Sequence, residues 1–347
     1  MALLTGWASF LVTAATIGCV YGLLAVGLNV HYGYTGLLNF GHVAFFAAGA
    51  YTSAILTMPP PEQVSQANYV LGLNLPMPLG FPVSLVAAAV VGGVLALLIG
   101  LTSVRLGTHY LAIATFALAG VFEDVLVNEA WLTNGTFGMN SVPKPLRSTL
   151  GADVWQLAYL AFAALCLLGV YLLVRHLIDA PFGRLLKGVR ESEDAARMLG
   201  KDTNVVKLKS FAIGGAIAGL AGGVYAHFIG SVVTGQFVAG VTFTVWAALL
   251  LGGVASSTGA VAGAFLLIAF QQSTRFITNI YDWVQSLLPE ILSGVLPALF
   301  EPLPNHPSFV PSIRFIVIGL LFVLVIRYRP EGLFGDPDEV TVMGEEE

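Results

Sequence analysis

Long apolar runs separated by short polar stretches dominate the chain. Runs at 7–30, 37–57, 82–104, 107–128, 154–175, 209–230, 241–256, 259–280 and 312–328 each approach the roughly 20 residues that a helix needs to cross a bilayer. The pattern predicts an all-α, polytopic membrane protein with about nine crossings, or between about eight and ten if the short seventh run is broken or re-entrant. Only Ser256, Ser257 and Thr258 separate that run from the eighth. Breaks or tight turns are also expected where glycine and hydroxyl residues crowd, at Tyr32 to Gly36 and at Gly252 to Gly259. In 281–311, Val284, Leu287, Leu288, Ile291, Leu292, Val295 and Leu296 recur at helical spacing, which predicts a helix lying in the outer interface and broken or kinked at Pro289.

The one long hydrophilic stretch inside this apolar chain is Pro181 to Lys209. Its centre predicts a short capped helix: Ser192 caps the start, Glu193 and Asp194 favour its positive end, and Gly200 stops it. Ala195, Met198 and Leu199 share one face and Glu193 and Arg197 pair on another, leaving an apolar side for a partner. Spacing alone leaves a solvated loop equally open.

Composition agrees with the pattern. Of 347 residues 56% are hydrophobic and 10% charged, against roughly a quarter charged in soluble domains. The net charge is −5 and no basic stripe stands out, so no nucleic-acid partner is expected. Cys19 and Cys166 both lie in apolar runs and read as packed thiols, neither a disulfide framework nor a metal site. Met1 to Phe10 lacks a basic start, so the first run reads as a retained span.

Charge placement sets the expected orientation. Eight of the 15 lysines and arginines fall from Arg175 to Lys209, and Arg327 and Arg329 follow the last run. Both regions are expected in the cytoplasm, which puts the N-terminus, the loops Met58–Pro82 and Glu129–Asp153, and 281–311 outside, with Lys144 and Arg147 as a minor violation. Residues 1–335 read as one transmembrane domain, 176–208 as its cytoplasmic loop and 336–347 as a disordered acidic tail.

Within the spans, Gly215, Gly219 and Gly223 form a row of small residues, and Gly259 and Gly263 repeat the spacing. Such rows let helix backbones approach closely, inside one subunit or between two; the alternative is glycines that free a moving segment. Polar residues at membrane depth each need a reason. Asn39 and His42 read first as hydrogen-bonding groups between helices and second, with Thr115, as lining for a permeation path. Glu123 and Asp124 suit either a wet vestibule wall or ordinary interfacial exposure, and Gln236 reads as external loop.

No catalytic pattern is visible. There is no His-Glu-x-x-His and no Gly-x-Ser-x-Gly, and Gly230 to Gly235 is followed by Gln236 and Phe237 where a phosphate-binding loop needs Lys and a hydroxyl residue. The central parts of most spans carry no charge to couple ions. Uncharged spans around one basic loop imply a pore whose motor docks from the cytoplasm.

Six stretches in register then resemble the LivM-type permeases of the branched-chain amino acid ABC importer family: Gly33 to Tyr51, Tyr110 to Phe116, Pro181 to Glu193, Ala218 to His227, Gly252-Gly253, and Tyr328 to Gly335. The Asp194-Ala-Ala-x-x-x-Gly200 core is similar to the coupling loop of ABC importer permeases, with Asp194 in place of the usual Glu and no Leu-Pro after it. Asn134 to Gly138 replaces a more glycine-rich run outside the fourth span. The resemblance implies a multi-pass subunit in the cell (inner) membrane of a prokaryote, not an enzyme, pairing with a LivH-like permease, two cytoplasmic ATPases that bind ATP and Mg, and an external substrate-binding protein. No cofactor is implied for this chain itself. Arg184, Lys187, Arg190, Glu191, Glu193, Asp194, Ala195, Ala196, Arg197 and Gly200 become the expected ATPase-coupling residues, with Ala196 on the docking face. Permeases for urea, short amides or other amino acids would look alike, and a self-sufficient channel or ion-coupled carrier is the reading from another class.

Overall fold

Ten residues, Tyr32 to Gly41, interrupt what would otherwise be a simple hairpin of the first two helices, and they position everything described below. The computed structural model describes residues 6–59, 72–77, 79–103 and 106–273, with 319–320, 323, 327–329 and 332–335. Helix α1 (Gly6–His31) is followed by that interruption, then by α2 (His42–Thr57), α3 (Gly80–Ser103) and α4 (Thr108–Asn128). Two single-turn helices, α5 (Ala130–Thr133) and α6 (Arg147–Leu150), flank strand β1 (Met139–Asn140) before α7 (Ala152–Asp179). Helices α8 (Pro181–Glu191) and α9 (Glu193–Met198) form an elbow leading into α10 (Thr203–Ile229), after which come β2 (Ser231–Val232), α11 (Ala239–Gly252) and α12 (Ser257–Ser273).

Among the described residues six segments are long and apolar enough to cross a membrane: Gly6–His31, Gly80–Thr102, His109–Asn128, Ala152–Asp179, Thr203–Ile229 and Thr234–Gly252. Helices α2 and α12, with 16 and 17 residues, are shorter. Most of the ninth run falls outside the described residues, and the expected helix in 281–311 and the acidic tail lie wholly outside them. The polytopic α-helical class stands, and nine crossings are not reached in the part described. The second run starts late, at His42 instead of residue 37, because the chain turns through Tyr32 to Thr35, passes Gly36 at φ +74°, and stays non-helical to Gly41. The hydrophilic stretch is mostly helical, because α7 runs on to Asp179 and α10 begins at Thr203.

Helices α1 and α10 are central, each 67% buried over its apolar window, whereas α4 is 22% and α7 28% buried. Close backbone approach explains how α10 fits. A Cβ on Gly219 would meet the Ala88 carbonyl of α3 at 2.2 Å, and one on Gly215 would meet the Ala96 side chain at the same distance. Gly223 faces Leu85 and Ala88 of α3, and Gly222 faces the Phe46 carbonyl of α2. Gly259 and Gly263 seat α12 against Gly252 and the Ala248 carbonyl of α11. Both glycine rows therefore pack helices within this chain.

At the end away from α8 and α9, β1 pairs with β2 antiparallel, Met139 opposite Val232. Lys144 Nζ and Arg147 Cζ lie 5.2 Å and 5.6 Å from the Trp155 ring centroid, so the two bases at this end rest on an aromatic face. Cys19 and Cys166 are both free thiols.

Candidate functional site

The α8–α9 elbow is built from local rules. Pro181 opens α8, whose Leu186 and Val189 turn inward and whose Arg184 points out. The extended backbone of Ser192 breaks the helix, and its hydroxyl accepts a hydrogen bond from the Ala195 amide at 3.3 Å, capping α9. The chain then stops at Gly200, φ +74°, where the Gly200 amide donates to the Arg197 carbonyl and the Lys201 amide to the Ala196 carbonyl. The capped helix read from the sequence is present in this form.

Glu193 ties the elbow to the bundle. It pairs with Arg197 at 2.7 Å, accepts from the Thr203 hydroxyl at 3.0 Å, and forms an ion pair with Lys207 of α10. Burial alone would raise the Glu193 carboxyl, but the Lys207 hydrogen bond and charge, with Thr203 and Arg197, outweigh it and hold the pKa below the ordinary 4.5. Asp202 caps α10 by accepting from the Val205 amide. With α9 fixed on that side, the opposite side projects Met198 and Leu199, 88% and 79% exposed. Ala195, Glu191 and Asp194 are also exposed. Ala196 is not on that face: it is 7% exposed and packs inward with the hydrophobic core, because the Glu193 contacts set which side of α9 meets the bundle.

The second feature is a buried polar hub around Tyr32 to Gly41. Asn39, fully buried, donates through Nδ2 to His31 Nδ1 at 3.0 Å and accepts the Gly41 amide at 2.9 Å. His31 Nε2 reaches the Phe211 carbonyl at 3.1 Å. A carbonyl only accepts and an amide NH₂ only donates, so these partners assign the neutral Nε2–H tautomer to His31. His42 Nε2 donates to the Leu24 carbonyl at 3.1 Å, which places the start of α2 level with a point seven residues, about 10 Å of helix, inside the end of α1. Thr115 accepts from the Phe40 amide at 3.1 Å, and Trp246 Nε1 donates to the Asn39 carbonyl at 3.0 Å. Asn39, His42 and Thr115 thus gather at one place, each at most 1% exposed and engaged with the protein's own groups. Beside them Phe116 and Phe243 are about half exposed, with Phe243 5.6 Å from the Phe40 ring.

The hub and the elbow touch. Arg190 of α8 donates through Nη1 to the Gly33 carbonyl, and its stem lies 3.2 Å from a Cβ built on Gly36. Thr35 and Ser210 share a 2.8 Å hydrogen bond, and Tyr34 reaches the Ser257 hydroxyl at 2.8 Å, so the interrupted segment is held by α8, α10 and α12 together. Sequence reading singled out Asn39 and His42 but missed His31, Trp246 and the partner of Arg190. A histidine ending an apolar run beside a glycine cluster was the signal for the first; nothing local signals the other two.

These features define an all-α polytopic membrane protein with a helical elbow at one end of the bundle joined to a polar hub within it. The family described as "Branched-chain amino acid transport system / permease component" matches residues 10–326, and the chain belongs to it. It is 32% identical over 286 residues to the high-affinity branched-chain amino acid transport system permease protein LivM of Salmonella typhimurium, covering 76% of this chain and 63% of that relative. It is 24% identical over 344 residues to the probable LivM of Methanocaldococcus jannaschii, covering 93% and 92%. The likeness to LivH of Escherichia coli is 27% over 290 residues, covering 80% and 89%. The chain thus spans under two thirds of the length of the Salmonella LivM that it matches. No solved structure matches it.

Proposed function

We propose that this chain is a membrane-spanning permease subunit of an ATP-driven importer for branched-chain amino acids. It forms half of the pore with a LivH-like subunit and takes its power from two separate ATPases that bind ATP and Mg, while an external binding protein delivers substrate. The LivM and LivH names of its relatives supply the cargo and the second permease. The observation that carries the coupling is the elbow: a capped helix too short to be stable alone, held by Glu193 and presenting Met198 and Leu199 outward. An exposed apolar pair on an elbow that also exposes Arg184, Glu191 and Asp194 suits a groove on a partner protein. The elbow and the C-terminus then face the cytoplasm of a prokaryotic cell, across the inner membrane. Movement of α8 is passed through Arg190 to the Tyr32–Gly41 segment, and so to Asn39, His42, Thr115 and the half-exposed phenyl rings beside a path at the subunit interface.

Purification of the tagged chain from native membranes tests this. It should bring a second permease of the same family and ATPase subunits, and reconstituted uptake of leucine-like substrates should require ATP. Transport by the chain alone in liposomes, or labelling of Lys187 and Lys201 by a membrane-impermeant reagent from outside intact cells, would overturn it.

A further inference from the structure

Helices α7 and α12 both lie against α1 yet scarcely touch each other, and the gap between them is a groove of about 370 Å³. Cys19 of α1 forms its floor, Leu167 and Leu168 one wall, and Val261, Ala262 and Phe265 the other. Gly18 and Gly22 of α1 bring Phe265 and Leu167 close to the floor. The outward stripe of α7 beside the groove is Leu165, Leu168 and Leu172, at least 50% exposed, which is the chemistry of a surface meeting acyl chains.

At its α8 end the groove changes character. Tyr171 and Thr258 line both the apolar groove and an adjoining polar cavity of about 300 Å³, which is completed by Tyr34, Arg175, Ile178, Asp179 and Ser257. Arg175 and Asp179 project from successive turns of α7, 3.9 Å apart and 65% and 73% exposed, so their pairing is loose. Opposite them stand the hydroxyls of Ser257 and Thr258 in the first turn of α12, the positive end of that helix.

From this juxtaposition we infer a binding site for one phospholipid with a primary-ammonium headgroup, of the phosphatidylethanolamine type. Its acyl chain fills the groove over Cys19. Its phosphate takes the Arg175 guanidinium and the α12 hydroxyls, and its ammonium takes the Asp179 carboxylate. A purely anionic headgroup would leave Asp179 repelled by the phosphate, and a choline headgroup has no N–H to donate to it. The site borders the interrupted segment through Tyr34 and its Ser257 partner, but it uses neither the elbow face nor Asn39, His42 or Thr115, so its test does not depend on the transport reading.

The test is native mass spectrometry of the purified full-length chain equilibrated with equal amounts of phosphatidylethanolamine, phosphatidylcholine and phosphatidylglycerol. The ethanolamine lipid should survive as the preferred single adduct. Arg175→Gln and Ala164→Phe, the second at an exposed wall position of the groove, should each lower its occupancy roughly fivefold, equivalent to about 1 kcal/mol. Asp179→Asn should abolish the preference for ethanolamine over choline while leaving phospholipid bound. Preference for the glycerol lipid, equal retention of the choline lipid by the unaltered chain, no retained lipid, or unchanged occupancy in folded Ala164→Phe would each overturn the inference.

Discussion

Arg190 and Gly33, separated by 157 positions in sequence, are joined by a hydrogen bond from the guanidinium to the backbone carbonyl. This bond links the α8–α9 elbow to the interruption that carries the buried hub. Gly33 has no room for a side chain, because a Cβ there would meet the Asn29 amide oxygen and the Ala255 amide. Asn29 Oδ1 in turn accepts from the Ala255 amide at 3.0 Å, so the interrupted segment is pinned on both sides.

Arg190→Gln should therefore uncouple the two regions without unfolding either. A hydrogen bond from a charged donor contributes about 1.5–3 kcal/mol, so uptake by the assembled complex should fall roughly tenfold. ATPase co-purification should persist, because the α9 face is untouched. Uptake and subunit composition measured on the same preparation check this, and uptake at the unaltered level would remove the coupling role of the bond.

The elbow should respond to acid with a defined sign. The folded-state pKa of Glu193 is depressed below 4.5, so the stabilisation it gives α9 is present above the unfolded value and is lost as pH falls through the folded one. Amide hydrogen exchange in 193–200 should stay slow from neutral pH down to the ordinary 4.5 and accelerate only as pH falls below it, beyond the chemical pH dependence of exchange. Glu193→Gln should show fast exchange already at neutral pH and little further change.

Packing at the glycine row gives a stability prediction with an internal control. Gly219→Leu places a side chain where the Ala88 carbonyl stands 2.2 Å from a Cβ, and an overpacked core site costs about 1–3 kcal/mol or more. Thermal unfolding in detergent should shift down and folded yield should drop. Gly120 in α4 has nothing within 4 Å of a built Cβ, so Gly120→Leu should leave both close to those of the unaltered chain.

Much of the architecture was written in local sequence. The bounds of α1, α3 and α4 and the start of α7 follow from uninterrupted apolar runs, and the α9 caps follow from Ser192 and Gly200, because helix length and capping are short-range properties. Where α2 begins was not legible: Leu37 to Gly41 is as apolar as a helix start, and what keeps it extended is distant, the Thr115 hydroxyl and the Trp246 indole. The direction in which α9 faces was not legible either. Spacing groups Ala195, Met198 and Leu199, but it takes Lys207, a turn and a half into the next long helix, to decide that Ala196 is the residue turned inward. The Asn39–His31 pair is short-range in number yet depends on a loop that folds back, which periodicity does not encode.

The inward position of Ala196 separates two substitutions that sequence alone would treat as equivalent. Ala196→Glu puts a carboxylate against the core at a site 7% exposed, where an unpaired charge is strongly disfavoured, so α9 itself should detach from the bundle. Hydrogen exchange across 193–200 should rise sharply, and loss of uptake in that variant would report a broken elbow. Met198→Asp, at 88% exposure, leaves the Glu193 contacts and both caps in place, so exchange in α9 should stay within about twofold of the unaltered chain, as expected for surface changes of about 0.5 kcal/mol or less. On the proposed docking of an ATPase at this face, an apolar contact replaced by a charge costs about 2 kcal/mol or more, enough to reduce ATPase co-purification by well over tenfold. If Met198→Asp and Leu199→Asp both retain the ATPases, the exposed face of α9 is not where the motor docks, and the elbow must be read as a structural clasp for α10.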